Sequence, residues 1–358
     1  MIPWIGLTQT MKTNQLGRGG PFVSELGLGT MTFGAETDEA AAHRQLDLFA
    51  GAGGTFIDTA DIYARGESER IVGRWLDSRR LQNMIVATKA RFMAPSGSSG
   101  ASRRGIVKAL DASLARLGVE AIDLYYVHGW DPAASVLDTL GALTDAAAAG
   151  KIHSIGWSNT TGWQLQKIID TARNAGLAEP VAFQPQYNLL DRGIELEVLP
   201  LCLEEGIAVC PWSPLGGGWL TGKYQRDTSP TGTTRLGEDP ERGVEAYGTR
   251  NNDRVWAIIE EAAAVAERTG AWIGEVALRW LLERPGVGSV LLGARTARQL
   301  QQSLAAAEHK MSEGDLARLT MVSAPGLPPY PYGMVEKACG VDIWRELGTA
   351  RNPAGSGM

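Results

Sequence analysis

Short apolar runs alternate along this chain with longer stretches in which apolar residues recur every third or fourth position. "LGLGT" (26 to 30) precedes "DEAAAHRQLDLFAGAG", "TFIDTA" precedes "ESERIVGRWLDSRR", and "MIVATK" (84 to 89) precedes "RRGIVKALDASLARLG". "AIDLYYVH" (121 to 128), "IHSIGWSN" (152 to 159) and "PVAFQPQ" (180 to 186) are each followed in the same way. "IAVCPW" (207 to 212) leads into a long loop and two helical stretches, and "GSVLLG" (288 to 293) into "TARQLQQSLAAAEH". The first kind of run has the length and branched-residue content of a strand, the second the period of an amphipathic helix. Strands that return through helices lie parallel and are covered on both faces, which accounts for runs such as "IAVC" that do not alternate.

Eight such units predict an α/β fold, a (β/α)8 TIM barrel. Gly53, Gly118, Gly150, Gly176 and Gly206 each close a helical stretch, where a left-handed cap requires no Cβ. An open doubly wound sheet is the competing fold. It calls for a G-x-G-x-x-G turn, which "LGLGTMTFG" does not contain. The Gly-Gly-Pro turn in "NQLGRGGPFVSELG" (14 to 27) predicts an N-terminal β-hairpin against the barrel's lower mouth. Beyond residue 311 a short helix, a Pro-rich stretch and an amphipathic piece predict extra C-terminal helices, ending in a frayed "NPAGSGM". The whole chain, 1–358, reads as one domain, with a core of about 14–335 and a tail of 336–358.

Composition narrows the partners. A net charge of −6 argues against nucleic acid and anionic membrane surfaces, and no run of about 18 apolar residues exists to span a bilayer. Cys202, Cys210 and Cys339 lack metal-ligand spacing and read as reduced core thiols of a soluble cytoplasmic protein. No metal site is expected, and the oligomeric state, monomer or homo-oligomer, is not encoded in any pattern.

Barrels of this kind place chemistry at the C-terminal ends of their strands. There the chain sets Asp58 with Asp61 and Tyr63, then Lys89, His128, Ser158 with Asn159, and Gln184. Taken singly, Asp58 reads as a loop cap, Lys89 as a surface lysine and His128 as a core histidine. On three consecutive strand ends they predict a site in which a carboxylate balances a buried ammonium and the ammonium lowers the proton affinity of a neighbouring phenol.

The segments "FIDTADIY", "GESERIVGRWL", "VATKAR", "ASRRGIVKALDASLARLGVEAIDLYYVHGWD", "GKIHSIGWSN", "FQPQYNLLDR", "CPWSPLGGGWLTGKY" and "GARTARQLQQSLAA" together resemble the aldo-keto reductase superfamily, over roughly residues 14 to 335. The tail "VSAPGLPPYPYG" looks like that of its bacterial and fungal branch. The resemblance implies an NADPH-dependent reduction of an aldehyde or ketone, with NADH as a possible alternative cofactor. It assigns catalysis to Asp58, Tyr63, Lys89 and His128. Tyr63 is then the proton donor, Lys89 its tuner paired with Asp58, and His128 the group that orients the carbonyl, while Asp61 is structural. For the cofactor it implies Gly29, Thr30, Met31 and Asp58 beneath it, Trp212 stacked on the nicotinamide, and Ser158, Asn159 and Gln184 on the carboxamide. Ser213, Leu215, Gly216 and Lys223 belong to a long flap over the pyrophosphate. Gly293, Arg295, Gln299 and Ser303 take the adenosine end, with Arg295 on the 2′-phosphate; Ser303 stands where the family often has Asn. The family also includes members that bind the cofactor and act mainly as regulatory subunits. Phe92, Met93, Trp130, Tyr187, Trp219 and the "PPYPYG" tail are expected to wall a substrate pocket suited to sugars, keto-sugars or aromatic aldehydes.

Overall fold

Thr13–Gln15 (β1) and Phe22–Ser24 (β2) pair antiparallel as the expected hairpin. The computed structural model describes residues 11–81, 83–92 and 100–349; Met93 and the last residues of the tail lie outside them. After the hairpin come eight parallel strands: Leu26–Gly29 (β3), Phe56–Asp58 (β4), Ile85–Ala90 (β5), Ile122–Val127 (β6), Ile152–Ser158 (β7), Ala182–Gln184 (β8), Ala208–Val209 (β9) and Val290–Gly293 (β10). They are ordered β10-β3-β4-β5-β6-β7-β8-β9. The two edges meet. Val209 bridges Val287 in parallel, the Val209 amide donates to Gly286 O, and the Leu291 amide donates to Pro211 O at 3.1 Å. The sheet therefore curls into the (β/α)8 fold read from the sequence pattern.

Outside the strands run Glu39–Gly51 (α1), Glu67–Arg79 (α2), Arg103–Leu117 (α3), Val136–Ala148 (α4), Gly162–Ala175 (α5) and Val198–Glu205 (α6). Short helices Arg235–Glu238 (α7) and Tyr247–Arg250 (α8), then Asp253–Thr269 (α9) and Ile273–Leu282 (α10), fill the chain between β9 and β10. Ala297–Leu304 (α11) follows β10, and Glu313–Ser323 (α12), Met334–Cys339 (α13) and Ile343–Glu346 (α14) come last. Local chemistry sets these boundaries. Asp38, Ser102, Asn252, Thr296 and Ser312 each accept a first-turn amide as N-caps, each worth about 1 kcal/mol. Gly118, Gly176 and Gly206 close their helices in the left-handed conformation, whereas Gly53 and Gly150 stand one residue past the caps Ala52 and Ala149.

The barrel interior is packed rather than hollow. Leu16 and Val23 of the hairpin reach into a cluster with Phe56, Ala87, Leu124, Tyr126, Ala182 and Cys210, so the hairpin closes the lower end. Gly27 leaves room for this packing: a Cβ there would lie 2.8 Å from the Phe56 ring and 2.9 Å from Leu291. The C-terminal segment is tied on by a buried pair, Arg192 and Glu195, both fully buried. Arg192 donates to Thr320 O and Leu347 O, and Thr349 donates to Glu195. Among the described residues no helix is long and apolar enough to cross a membrane, and no cluster of three or more His, Cys, Asp or Glu could hold a metal ion.

Candidate active site

Alternation along the strands aims Asp58, Lys89 and Gln184 at the barrel axis, above the inner cluster. There they form one connected set. Lys89 Nζ donates to Asp58 Oδ2 at 2.6 Å, to Thr59 O at 2.8 Å and to the Tyr63 hydroxyl at 3.3 Å, which occupies all three ammonium hydrogens. Gln184 Nε2 donates to Asp58 Oδ1 at 2.9 Å. Both carboxylate oxygens thus accept, and the Asp58–Lys89 contact is an ion pair nearly devoid of solvent contact. Burial works to lower the proton affinity of Lys89, but Asp58 and Tyr63 prevail and hold it above the ordinary ammonium value. Burial raises Asp58 against the opposing influence of Lys89 and Gln184.

Tyr63 is positioned by a tight turn. Ala64 and Arg65, immediately after it, adopt φ of 45° and 56°, a conformation costing residues with a Cβ roughly 1–2 kcal/mol each. The phenol ring lies under the Lys89 ammonium, 4.9 Å from its centre, and meets His128 edge-on with ring centres 6.1 Å apart. The electrostatic outcome corrects the expectation for the phenol. Lys89 does lower the Tyr63 pKa, but the loss of water around the half-buried ring raises it more, helped by Asp58, so the net shift is upward. Tyr63 therefore keeps its proton throughout the neutral range. Burial, then Lys89 and Arg91, push His128 well below the usual imidazole value, so it is neutral; its Nδ1 is buried without a hydrogen-bond partner among the described residues.

The next three strand ends add polar groups beside this set. Asn159, at φ 52°, donates to His128 O at 3.0 Å and accepts from Trp212 Nε1 at 3.1 Å, which fixes the half-buried indole on the rim. Ser158 Oγ donates to Gln184 O at 2.6 Å.

The sequence profile described as "Aldo/keto reductase family" matches residues 25–324. The chain is 33% identical to "Protein tas" of Escherichia coli (strain K12), over 86% of this chain and 96% of that protein. It is 29% identical to "Aryl-alcohol dehydrogenase [NADP(+)]" of Phanerodontia chrysosporium, over 94% of each. It is 31% identical to "Probable voltage-gated potassium channel subunit beta" of Arabidopsis thaliana, over 83% of this chain and 92% of that protein. The chain belongs to the aldo/keto reductase family.

As an aldo-keto reductase it is an oxidoreductase by class, and the family typically uses a nicotinamide cofactor. The groove residues fit one. Asn159 and Gln184 each retain a second amide hydrogen, and Ser158 a hydroxyl that still accepts, which suits a carboxamide. Gly29 and Gly293 end adjacent strands, and a Cβ at Gly293 would meet nothing within 4 Å. Thr30 is buried with its hydroxyl on Asp58 O, while Met31 is exposed at the lip.

The long segment after β9 crosses the top of the barrel as a strap. Trp219 stacks on Tyr247 inside it, with centres 5.4 Å apart, and donates to Glu245 O at 3.0 Å. Ser213 Oγ is committed to Glu245, Leu215 and Gly216 line the turn, and the Lys223 ammonium lies over the Tyr224 ring, 5.1 Å from its centre. At the far end the strap grips Arg295: Glu238 receives both arms of the guanidinium at 2.9 and 2.8 Å, and Glu36 lies 3.6 Å away. Gln299 turns inward to accept the Arg295 amide, and Ser303 is buried on the inner face of α11.

Two aromatic expectations do not hold. Tyr187 is fully buried and donates to Glu195 at 2.7 Å, and Trp219 is buried in the strap, so neither walls a pocket. Phe92 and Trp130 do stand on the rim, Phe92 against His128 with centres 5.0 Å apart and Trp130 against Trp163 at 5.5 Å. Between Trp212 and the loop after β8, a cavity of about 590 Å³ opens beside Gln186, Asp191 and Ile194. His309 Nδ1 lies 3.2 Å from a Glu275 carboxylate oxygen. Sequence reasoning passed over Arg91, two residues beyond Lys89, and Glu69, which faces Asp61; neither belongs to a recognisable spacing pattern.

Proposed function

We propose that this protein reduces the carbonyl group of an aldehyde or ketone with NADPH, NADH being the weaker cofactor, and that Tyr63 supplies the proton. The observation that carries this reading is the hydrogen-bonded chain Gln184–Asp58–Lys89–Tyr63, which ends in a protonated phenol beside a neutral imidazole. When bound, the cofactor contributes the hydride; Trp212 would stack on its ring and Ser158, Asn159 and Gln184 would hold its carboxamide.

The chain's own residues do the remainder. As negative charge develops on the carbonyl oxygen, Tyr63 donates its proton, and the Lys89 ammonium at 3.3 Å stabilises the phenolate left behind. Asp58 keeps Lys89 in place and charged. His128, uncharged, orients the oxygen through a hydrogen bond and does not compete as the acid. Run in reverse, the same groups oxidise an alcohol. The protein acts as one barrel domain on a small molecule, and its free cysteines suit a reducing cytoplasm: Cys202 and Cys210 are core thiols, whereas Cys339, expected in the core, is exposed on the short C-terminal helix α13.

The decisive experiment is a screen of NADPH consumption over aldehydes, ketones and keto-sugars, with Tyr63→Phe as control. Turnover is expected in the wild type, falling by ~10² or more in kcat in the variant while cofactor affinity holds. Near-normal turnover by Tyr63→Phe would remove the assigned acid. A second reading is favoured by the relative named as a channel subunit: a cofactor-binding regulator with little turnover. Tight NADPH binding without reduction of even an activated aldehyde such as 4-nitrobenzaldehyde would select it.

A further inference from the structure

The strand that carries Lys89 ends in a second cation. β5 ends at Ala90, whose carbonyl accepts the His128 amide at 3.0 Å, so Arg91 leaves its strand beside His128. On the neighbouring strand Leu124 and Tyr126 belong to the inner cluster, and His128 is next in that series. Arg91 and His128 accordingly stand together at the mouth of the barrel. The guanidinium carbon of Arg91 lies 4.8 Å from the centre of the Phe92 ring, and that ring touches His128 edge-on.

What separates Arg91 from the other buried and half-buried arginines is the lack of any acceptor among the described residues; even Arg254 donates to Leu190 O and Ser323 O at 3.1 and 3.0 Å. Arg116 pairs with Glu69, Arg192 with Glu195, Arg250 with Asp191, Arg284 with Glu195 and Arg295 with Glu238. Among the described residues Arg91 has no carboxylate within ion-pair distance, and its Nε is buried without a hydrogen-bond partner. Asp131, on the loop after β6, is committed to the amides of Ala101 and Ala133 at 2.7 and 3.0 Å. The stretches outside the described residues contain no aspartate or glutamate. In a chain with 40 acidic and 34 basic residues, a half-buried guanidinium without a partner is an exception that needs a cause.

Energetics point the same way. Desolvating part of a guanidinium is unfavourable unless its donors are met, and the contact with the Phe92 face returns only about 0.5–2 kcal/mol. The backbone at Arg91 is also held at φ 149°, a region that residues with a Cβ seldom occupy, at a cost of order 1–3 kcal/mol. A planar fork of donors at the rim, beside the group that would meet the carbonyl oxygen, is complementary to an oxyanion on the substrate.

We propose that Arg91 is a specificity-determining residue: the carbonyl compound reduced here carries a carboxylate or phosphate that pairs with Arg91 while its carbonyl oxygen meets Tyr63 and His128. This assignment rests on the carbonyl-reductase reading and adds a substrate class to it.

The test compares matched substrates in the wild type, Arg91→Gln and Arg91→Lys. Benzaldehyde is set against 4-carboxybenzaldehyde for the carboxylate arm, and glyceraldehyde against glyceraldehyde 3-phosphate for the phosphate arm. In the wild type, kcat/KM for the anionic member of at least one pair is expected to exceed that of its neutral partner by about tenfold or more, mainly through KM. The pair that shows it identifies the head group. Arg91→Gln should bring the ratio close to one, and Arg91→Lys should keep part of it. A wild-type ratio near one in both pairs, or a preference untouched by Arg91→Gln, overturns the proposal.

If none of the four aldehydes turns over, the carbonyl-reductase reading is what fails. Tryptophan fluorescence titrations with NADP⁺ present then decide the Arg91 assignment. Binding of 4-(hydroxymethyl)benzoate against benzyl alcohol, or of glycerol 3-phosphate against glycerol, should favour the anion about tenfold in the wild type and equally weakly in Arg91→Gln. Equal binding of both members in the wild type rejects the anion site.

Discussion

Replacing Asp61 by Asn should make this protein less sensitive to alkali. Asp61 follows β4 and is fully buried, and neither carboxyl oxygen makes a well-formed hydrogen bond among the described residues. A second buried carboxylate, Glu69 of α2, faces it and is already engaged by Arg116 of α3 at 2.5 Å and by Thr88 at 2.6 Å. Burial first, then Glu69, raise the Asp61 pKa from 3.8 to about 7, against the opposing pull of Arg116 and Lys89. The native state therefore holds a proton there that the unfolded chain releases above its own, lower pKa. Stability from this group is fully present below about pH 3.8 and is lost as pH rises to about 7, at about 1.4 kcal/mol per pH unit.

Between pH 5 and pH 8 the wild type should accordingly lose about 3 kcal/mol through Asp61 alone, a loss that Asp61→Asn, having no proton to release, does not share. Whatever the amide costs by its own unmet hydrogen bonds is constant with pH and cancels when the two pH values are compared. Urea unfolding followed by tryptophan fluorescence at both pH values measures the difference, provided the dependence on urea concentration is the same for both proteins. Parallel stability curves for wild type and variant would refute the reasoning, because they would mean that Arg116 neutralises both carboxylates and Asp61 is charged at every pH tested.

Other outcomes follow from the same geometry. Lys89→Met leaves Asp58 buried without its cation and should cost about 3–5 kcal/mol in urea unfolding, much of which the double variant with Asp58→Asn recovers; additive losses would deny the coupling. Glu238→Gln frees the Arg295 fork and should raise the preference for NADPH over NADH about tenfold in fluorescence titration, whereas Arg295→Ala should reduce it; an unchanged preference in both removes the 2′-phosphate role. Because Tyr63 is shifted upward and His128 downward, kcat for reduction should be flat from about pH 6 to 8, and an inflection near the ordinary imidazole value of about 6.5 would contradict a neutral His128.

Much of the architecture was legible because it rests on local periodicity. The eight strand-helix units, the plugging hairpin and the helix ends at Gly118, Gly176 and Gly206 are all written in patterns a few residues long. The rim residues Asp58, Lys89 and Gln184 were legible for the same reason: two-residue alternation assigns them one face before any contact is known. Loop aromatics have no such alternation. Tyr187 and Trp219 look like pocket walls until Glu195 and Tyr247 are seen to hold them inside.

Alone, then, the chain determined its barrel and which polar side chains would reach the barrel's upper rim. Tertiary structure decided their partners and their charge. Asp58 and Asp61 are equivalent as letters three positions apart, yet one meets an ammonium and an amide donor while the other meets a second carboxylate. Glu238 reaches Arg295 from 57 residues away, and Arg91 meets no acid at all among the described residues. The physical reason is range: backbone preferences act between neighbours in sequence, whereas desolvation and Coulomb energy depend on what folding brings within a few ångströms and on how much water it removes.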